Sequence, residues 1–133
     1  MESTRSLTVT INSFSYKSGI PYDESGNGGG FVFDCRGIHN PGRYEEYKNL
    51  TGKDASVIEF FHQKSNIEDF LQKALKVIEI NIESYLEREF SHLMVNFGCT
   101  GGQHRSVYCA DRMAQMIEEQ FDVTIRLIHN ELD

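Results

Sequence analysis

Leu93-Met94-Val95-Asn96-Phe97, followed by Gly98-Cys99-Thr100-Gly101-Gly102-Gln103-His104-Arg105-Ser106, is the stretch on which the fold turns. Its first five residues are almost continuously apolar, the pattern of a central strand covered on both faces. The glycines that follow permit a sharp change of direction. Beyond them Val107, Ala110, Met113, Ala114, Ile117 and Phe121 recur at helical spacing, which predicts a helix from about His104 to Gln120. A buried strand, a glycine-rich loop and an amphipathic helix in that order form a building unit of α/β domains.

Outward from this unit, Leu7-Thr8-Val9-Thr10-Ile11 alternates apolar and polar residues and reads as a first strand. Phe31-Val32-Phe33 is a short buried strand, and the run from Val123 to Ile128 is the last one. The longest helix is expected from Asn66 to about Arg88, where Ile67, Phe70, Leu71, Ala74, Leu75, Ile78 and Ile82 make one apolar stripe. Ser65 and Glu68 have the spacing of a capping box at its start. Asp54 can cap a shorter helix running to about His62. Ser18 to Gly30 is a loop with its tip at Ser25-Gly26-Asn27-Gly28-Gly29-Gly30, and residues 36–53 read as irregular. The order predicts crossover connections and a small, largely parallel sheet in a single three-layer α/β domain over residues 1–133.

The bulk numbers agree with that picture and exclude several classes. Apolar residues make up 39% and charged ones 25%, as in ordinary globular proteins. Three cysteines (Cys35, Cys99 and Cys109) cannot all pair, no run approaches membrane-spanning length, and no leader is recognisable. A cytoplasmic protein with free thiols is expected. The net charge is −7 and no basic stripe interrupts it, which argues against a broad nucleic-acid footprint. No His, Cys, Asp or Glu set has metal-ligand spacing, so neither metal nor cofactor is expected.

The Gly98–Ser106 loop concentrates the chemistry. It sits at the carboxyl end of a strand, where open α/β sheets bind ligands. The helix that follows offers unpaired N–H groups and positive potential. Arg105 adds a two-pronged donor suited to phosphate. An Arg so early in a helix is unfavourable unless an anion sits there. The bland alternative is a tight turn with Arg105 paired to a carboxylate. A P-loop is excluded, because Gln103 stands where the second glycine belongs and no Lys follows. Cys99 to Ser106 does fit Cys-x-x-Gly-x-x-Arg-Ser, which resembles the loop of cysteine-based phosphatases. In that alternative Cys99 is the nucleophile, Arg105 holds the phosphoryl oxygens and Asp34 is the only general acid to name.

A wider resemblance runs from about residue 12 to the end. Ser13-Phe14-Ser15-Tyr16-Lys17-Ser18-Gly19-Ile20-Pro21, then Phe33-Asp34-Cys35-Arg36 through Asn40-Pro41, then Leu50-Thr51-Gly52-Lys53-Asp54, and finally Gly98 to Val107 are similar, in order, to the C-terminal domain of the RapZ (RNase adapter) family. The resemblance implies a non-catalytic sensor of a phosphorylated amino sugar of the glucosamine 6-phosphate class. It also implies a protein partner, an oligomer and, in some members, a small RNA. ATP binding belongs to an N-terminal P-loop domain of the full-length members and is not expected of this chain. The resemblance makes Thr100, Gly101, Gly102, Gln103, His104, Arg105 and Ser106 the expected ligand-binding residues, with Arg36 closing from the side or paired with Asp34. Two departures stand out. Gly42 replaces a His common in the family, and the chain ends His129-Asn130-Glu131-Leu132-Asp133 where RNA-binding members carry a basic tail. Asn96 is expected to brace the loop, His39 to lie near the crevice, and His62 and His92 to have no special role.

Overall fold

The computed structural model describes residues 7–132. Four strands, β1 (Thr8–Ser15), β2 (Phe31–Asp34), β3 (His92–Cys99) and β4 (Thr124–His129), form one sheet in the order β2-β3-β1-β4. Every neighbouring pair is parallel. Three helices join them: α1 (Ala55–Lys64), α2 (Ile67–Glu87) and α3 (Arg105–Gln120). Residues 36–53 contribute two single 3-10 turns, Pro41–Arg43 and Glu45–Tyr47. The α/β class and the parallel sheet are as the sequence predicts.

The helices occupy only one of the two outer layers. The connections β2 to β3 and β3 to β4 step across the sheet in the same direction, so right-handed crossovers place their helices on one face. Val9, Ile11, Leu93, Val95 and Phe97 point to that face and join α1, α2 and α3 in one core. The step from β1 to β2 runs the opposite way and crosses the other face as a loop without a helix. The third layer is therefore the 16–30 loop, whose Gly30 lies so close to β3 that a Cβ there would sit 2.0 Å from the Met94 carbonyl oxygen.

β1 and β3 are adjacent, and their connections leave toward opposite faces. That is a topological switch point, with a crevice between the two carboxyl ends. Both strands run further toward it than their apolar patterns indicate, β1 to Ser15 and β3 to Cys99. Polar residues occupy the extension because each has a partner. Ser15 Oγ donates to the Thr100 carbonyl at 2.6 Å, and Tyr16 N donates to the Cys99 carbonyl at 3.0 Å.

The capping box at α2 does not form. Ser65 Oγ accepts from Ile67 N, but Glu68 turns toward α3, where it accepts the Tyr108 hydroxyl and lies 3.6 Å from Arg112. His62 adds its ring to this cluster, 3.0 Å from the Tyr108 oxygen. Burial, followed by the bond to Glu68, pushes the Tyr108 hydroxyl well above its ordinary pKa. The cluster ties α1, α2 and α3 together, a role the sequence does not suggest for His62.

The far end of α2 carries a strained residue. Phe90 N donates to the Tyr85 carbonyl and Glu89 N to that of Leu86, a Schellman closure. The position between helix and strand needs left-handed backbone, and Glu89 holds it with φ 61°. Glycine would adopt it without the Cβ penalty. Glu89→Gly is expected to raise stability by roughly 0.5–1 kcal/mol, read as a higher urea midpoint at unchanged m; a lower midpoint would refute the strain.

Candidate functional site

The site is built at the switch point by the residues joining β3 to α3. Cys99 is buried, and its thiol hydrogen-bonds to Ser106 Oγ at 3.2 Å while its sulfur accepts from Gly102 N at 3.3 Å. These two contacts curl the loop around the sulfur. Gly102 is required for two reasons. Its φ is +70°, and a Cβ there would meet Ser15 N at 2.9 Å and the Glu131 side chain at 2.4 Å. Gly98 is required for a third, since a Cβ would enter the rings of Phe14 and Tyr16 at 2.4 and 2.7 Å.

The first turn of α3 presents its backbone donors. Among the described residues, no acceptor meets the N–H groups of Arg105, Ser106 and Val107, and the first helical bond is Tyr108 N to the His104 carbonyl. Thr100 and Gly101 are exposed at the loop's rim. Helix polarity and unpaired amides thus converge on one spot.

Arg105 is 5% exposed. Its Nη1 donates to the carbonyls of Arg36 and Ile38, at 2.9 and 3.1 Å. Its Nε is buried with no partner, and no carboxylate lies within ion-pair distance of it among the described residues. Burying a cation without a counter-ion is expensive. The bland reading of Arg105, a pair with a carboxylate, is not what the fold builds.

Two other expected ligand residues act as braces. Gln103 Nε2 donates to the carbonyls of Lys48 and Leu50, at 2.8 and 2.6 Å. His104 Nε2 lies 2.8 Å from the Tyr47 carbonyl, which can only accept, so that nitrogen carries the proton. Gly52 N completes the seam by donating to the Gln103 carbonyl at 3.0 Å. Glycine at 42 matters here too. A Cβ would press the His104 ring at 3.3 Å, so the departure from the family's usual His leaves His104 its present place.

Arg36 stands at the rim with its guanidinium 4.0 Å above the Tyr16 ring. Its Nε and Nη2 both bond Asp34, at 2.9 and 2.8 Å. Of the two roles open to Arg36, this structure displays the ion pair. The Arg36 hydrogen bond is the main reason the Asp34 carboxyl is held below its ordinary pKa, with the charges of Arg36 and Arg105 adding to it. A carboxyl of that kind has no proton to give near neutral pH, which weakens it as a general acid.

Asn96 does not brace the loop. Its amide nitrogen donates to the Phe31 carbonyl at 3.0 Å, on the helix-free face. His39 lies against Tyr44 and Phe60, with its ring nitrogens on the Lys64 carbonyl and the Tyr44 hydroxyl. The chain Ser13–His129–Asp111 was not legible beforehand. His129 Nδ1 is 2.6 Å from Ser13 Oγ and its Nε2 is 2.7 Å from Asp111 Oδ1, which fastens β4 to β1 and α3. Ser13 is fully buried, so it serves as an anchor rather than a nucleophile. All three cysteines are free and buried, and among the described residues no group has the makings of a metal site. No helix among them is long and apolar enough to cross a membrane.

The sequence that builds this site has known relatives. The model of the RapZ C-terminal domain matches residues 7–133. A nucleotide-binding protein of Leptothrix cholodnii is 38% identical over 128 residues, 96% of this chain and 38% of that protein. One of Thermotoga sp. strain RQ2 is 39% identical over 113 residues, 85% of this chain and 38% of its own length. A third, of Thermotoga neapolitana, is 35% identical over 120 residues, 90% and 41% respectively. The chain thus spans about two fifths of the length of these curated relatives. On the match of the family model over nearly all its residues, the chain belongs to the RapZ C-terminal domain family.

Proposed function

We propose that the chain is a non-catalytic binding domain for a small phosphate monoester, of the phosphorylated amino-sugar class, held by the Thr100–Ser106 loop. The observation that carries this reading is Arg105, a buried guanidinium with an orphan Nε beside unpaired helix amides. A dianionic phosphate supplies the missing counter-charge and acceptors together. Each charge-assisted hydrogen bond contributes about 1.5–3 kcal/mol, so two or three suffice for micromolar to millimolar affinity. Arg36 can add to the site by exchanging Asp34 for the ligand. Occupancy then biases the encounter with a protein partner or a second copy. RNA is the weakest partner class, because the chain's charge is −7.

The direct test is a calorimetric titration of glucosamine 6-phosphate against glucosamine. Saturable heat with the first and none with the second is expected. No heat with either would end the proposal. One feature favours a second reading, a cysteine phosphatase: the Cys99 sulfur lies inside the loop, within reach of the Gly102 amide. Turnover of an aryl phosphate at pH 5–7 that Cys99→Ser removes would put catalysis in place of sensing.

A further inference from the structure

The helix-free face of the sheet holds a cavity of about 1020 Å³ that the loop site does not use. Small-molecule sites run from roughly 300 to 1,000 Å³. Thr10, Asn12, Met94 and Ile128 line its floor, and the 21–29 segment crosses above them as a strap. Asp23 shapes the strap by accepting from Ser25 N and Gly29 N, both at 2.9 Å. Arg126 on β4 meets Glu24 at 3.5 Å across the opening. Tyr85, Phe90 and His92, the first residue of β3, close the end of the cavity away from the Gly98–Ser106 loop.

We infer that this cavity is a second ligand site, for an uncharged nucleoside: a flat base carrying a hydroxylated sugar. Tyr22 lines it with a ring that is 84% exposed and, among the described residues, makes no ring contact or hydrogen bond. Such a ring is a stacking platform for any base. Asn12 is buried in the floor, where its carbonyl oxygen accepts from Asn130 Nδ2 at 2.9 Å. That bond leaves the Asn12 amide hydrogens as donors for an acceptor on the edge of a base. One strand over in register, Asn96 Oδ1 is buried with no partner among the described residues. Asn96 is fully buried beneath the floor and does not line the cavity, so Asn12 is the floor amide that a ligand meets.

The rim decides the charge of the ligand. Glu24 and Glu89 are placed to accept from sugar hydroxyls, as an acidic residue does for ribose. Together with Asp23 they outnumber Arg126, which Glu24 already engages. A phosphate at this mouth meets net negative charge, so the unphosphorylated form is preferred. The two sites then divide by chemistry, anions at the loop and neutral rings under the strap.

The test is a titration of adenosine into the whole chain, followed by tyrosine fluorescence and by side-chain amide resonances. Saturable binding is expected, weakened about tenfold in Tyr22→Ala, the typical effect of losing one stacked base. AMP is expected to bind several-fold more weakly than adenosine. Inorganic phosphate and Arg105→Lys should leave adenosine binding unchanged, which keeps this result separate from the fate of the loop site. No saturation by about 10 mM, an affinity weaker than any useful site, would overturn the inference. So would equal affinity in Tyr22→Ala with its thermal unfolding intact, or AMP binding more tightly than adenosine.

Discussion

Lysine in place of Arg105 is expected to lower the affinity for a phosphate monoester more than about 100-fold, from the loss of two charge-assisted hydrogen bonds of about 1.5–3 kcal/mol each. Lysine keeps the positive charge and much of the buried stem, so a simple Coulombic site would tolerate it. The guanidinium does something lysine cannot. It spends Nη1 on two carbonyls of the 36–38 segment and holds Nε fixed in the interior. An ammonium has three donors, so with two on those carbonyls it keeps one for phosphate and cannot make a two-pronged contact. Calorimetry with glucosamine 6-phosphate reads the affinity, and a thermal unfolding curve shows whether the variant is folded. Retention of binding within threefold in a folded variant would mean that phosphate does not contact this side chain.

The position of the loop was readable from the sequence because its signals are local. An apolar run, a glycine cluster and a helical stripe follow one another within about thirty residues, and each follows from backbone geometry. The roles inside the loop were less readable. Gln103, His104 and Arg105 are equally polar in the sequence, yet the first two reach the carbonyls of residues 47–50 while the third keeps a free donor. Which of three polar neighbours is consumed by structure depends on contacts more than fifty positions away, and no pattern in the loop encodes it. The same holds for Glu68, whose spacing from Ser65 fits a cap but whose carboxylate reaches Tyr108 instead.

The helix-free face was missed for a related reason. Strand β1 alternates over residues 8–11 as a half-buried strand should, but the thickness of the layer above it depends on the 16–30 connection. A glycine-rich loop and a helix are easily told apart in sequence. Their consequence, an open cavity instead of a packed interface, follows only once strand order is known. The switch from β1 to β2 against the direction of the other crossovers places that loop over Thr10 and Asn12.

The seam between the 47–52 segment and α3 makes a large effect on stability expected from the single methyl of Gly52→Ala. A Cβ at Gly52 would stand 2.4 Å from the His104 carbonyl oxygen, 2.6 Å from Tyr108 N and 3.1 Å from the Val107 Cβ. The two shortest contacts are backbone atoms of the helix start, so no side chain can rotate away. Relief requires moving the segment off α3, which strains the Gly52–Gln103 bond and the three side-chain bonds that Gln103 and His104 make to residues 47–50. Overpacking of about 1–3 kcal/mol combined with weakened buried hydrogen bonds gives an expected loss of about 3 kcal/mol. Gly101→Ala is the matched control. Nothing lies within 4 Å of its Cβ, so it should change stability by less than about 0.5 kcal/mol. Urea unfolding of the two variants reads the difference, and phosphate affinity should fall with stability in Gly52→Ala because the loop amides lose their fixed aim. Equal stability for the two alanines would mean that the 47–52 segment is free to shift, and that the amides of the Gly98–Ser106 loop are not set by this seam.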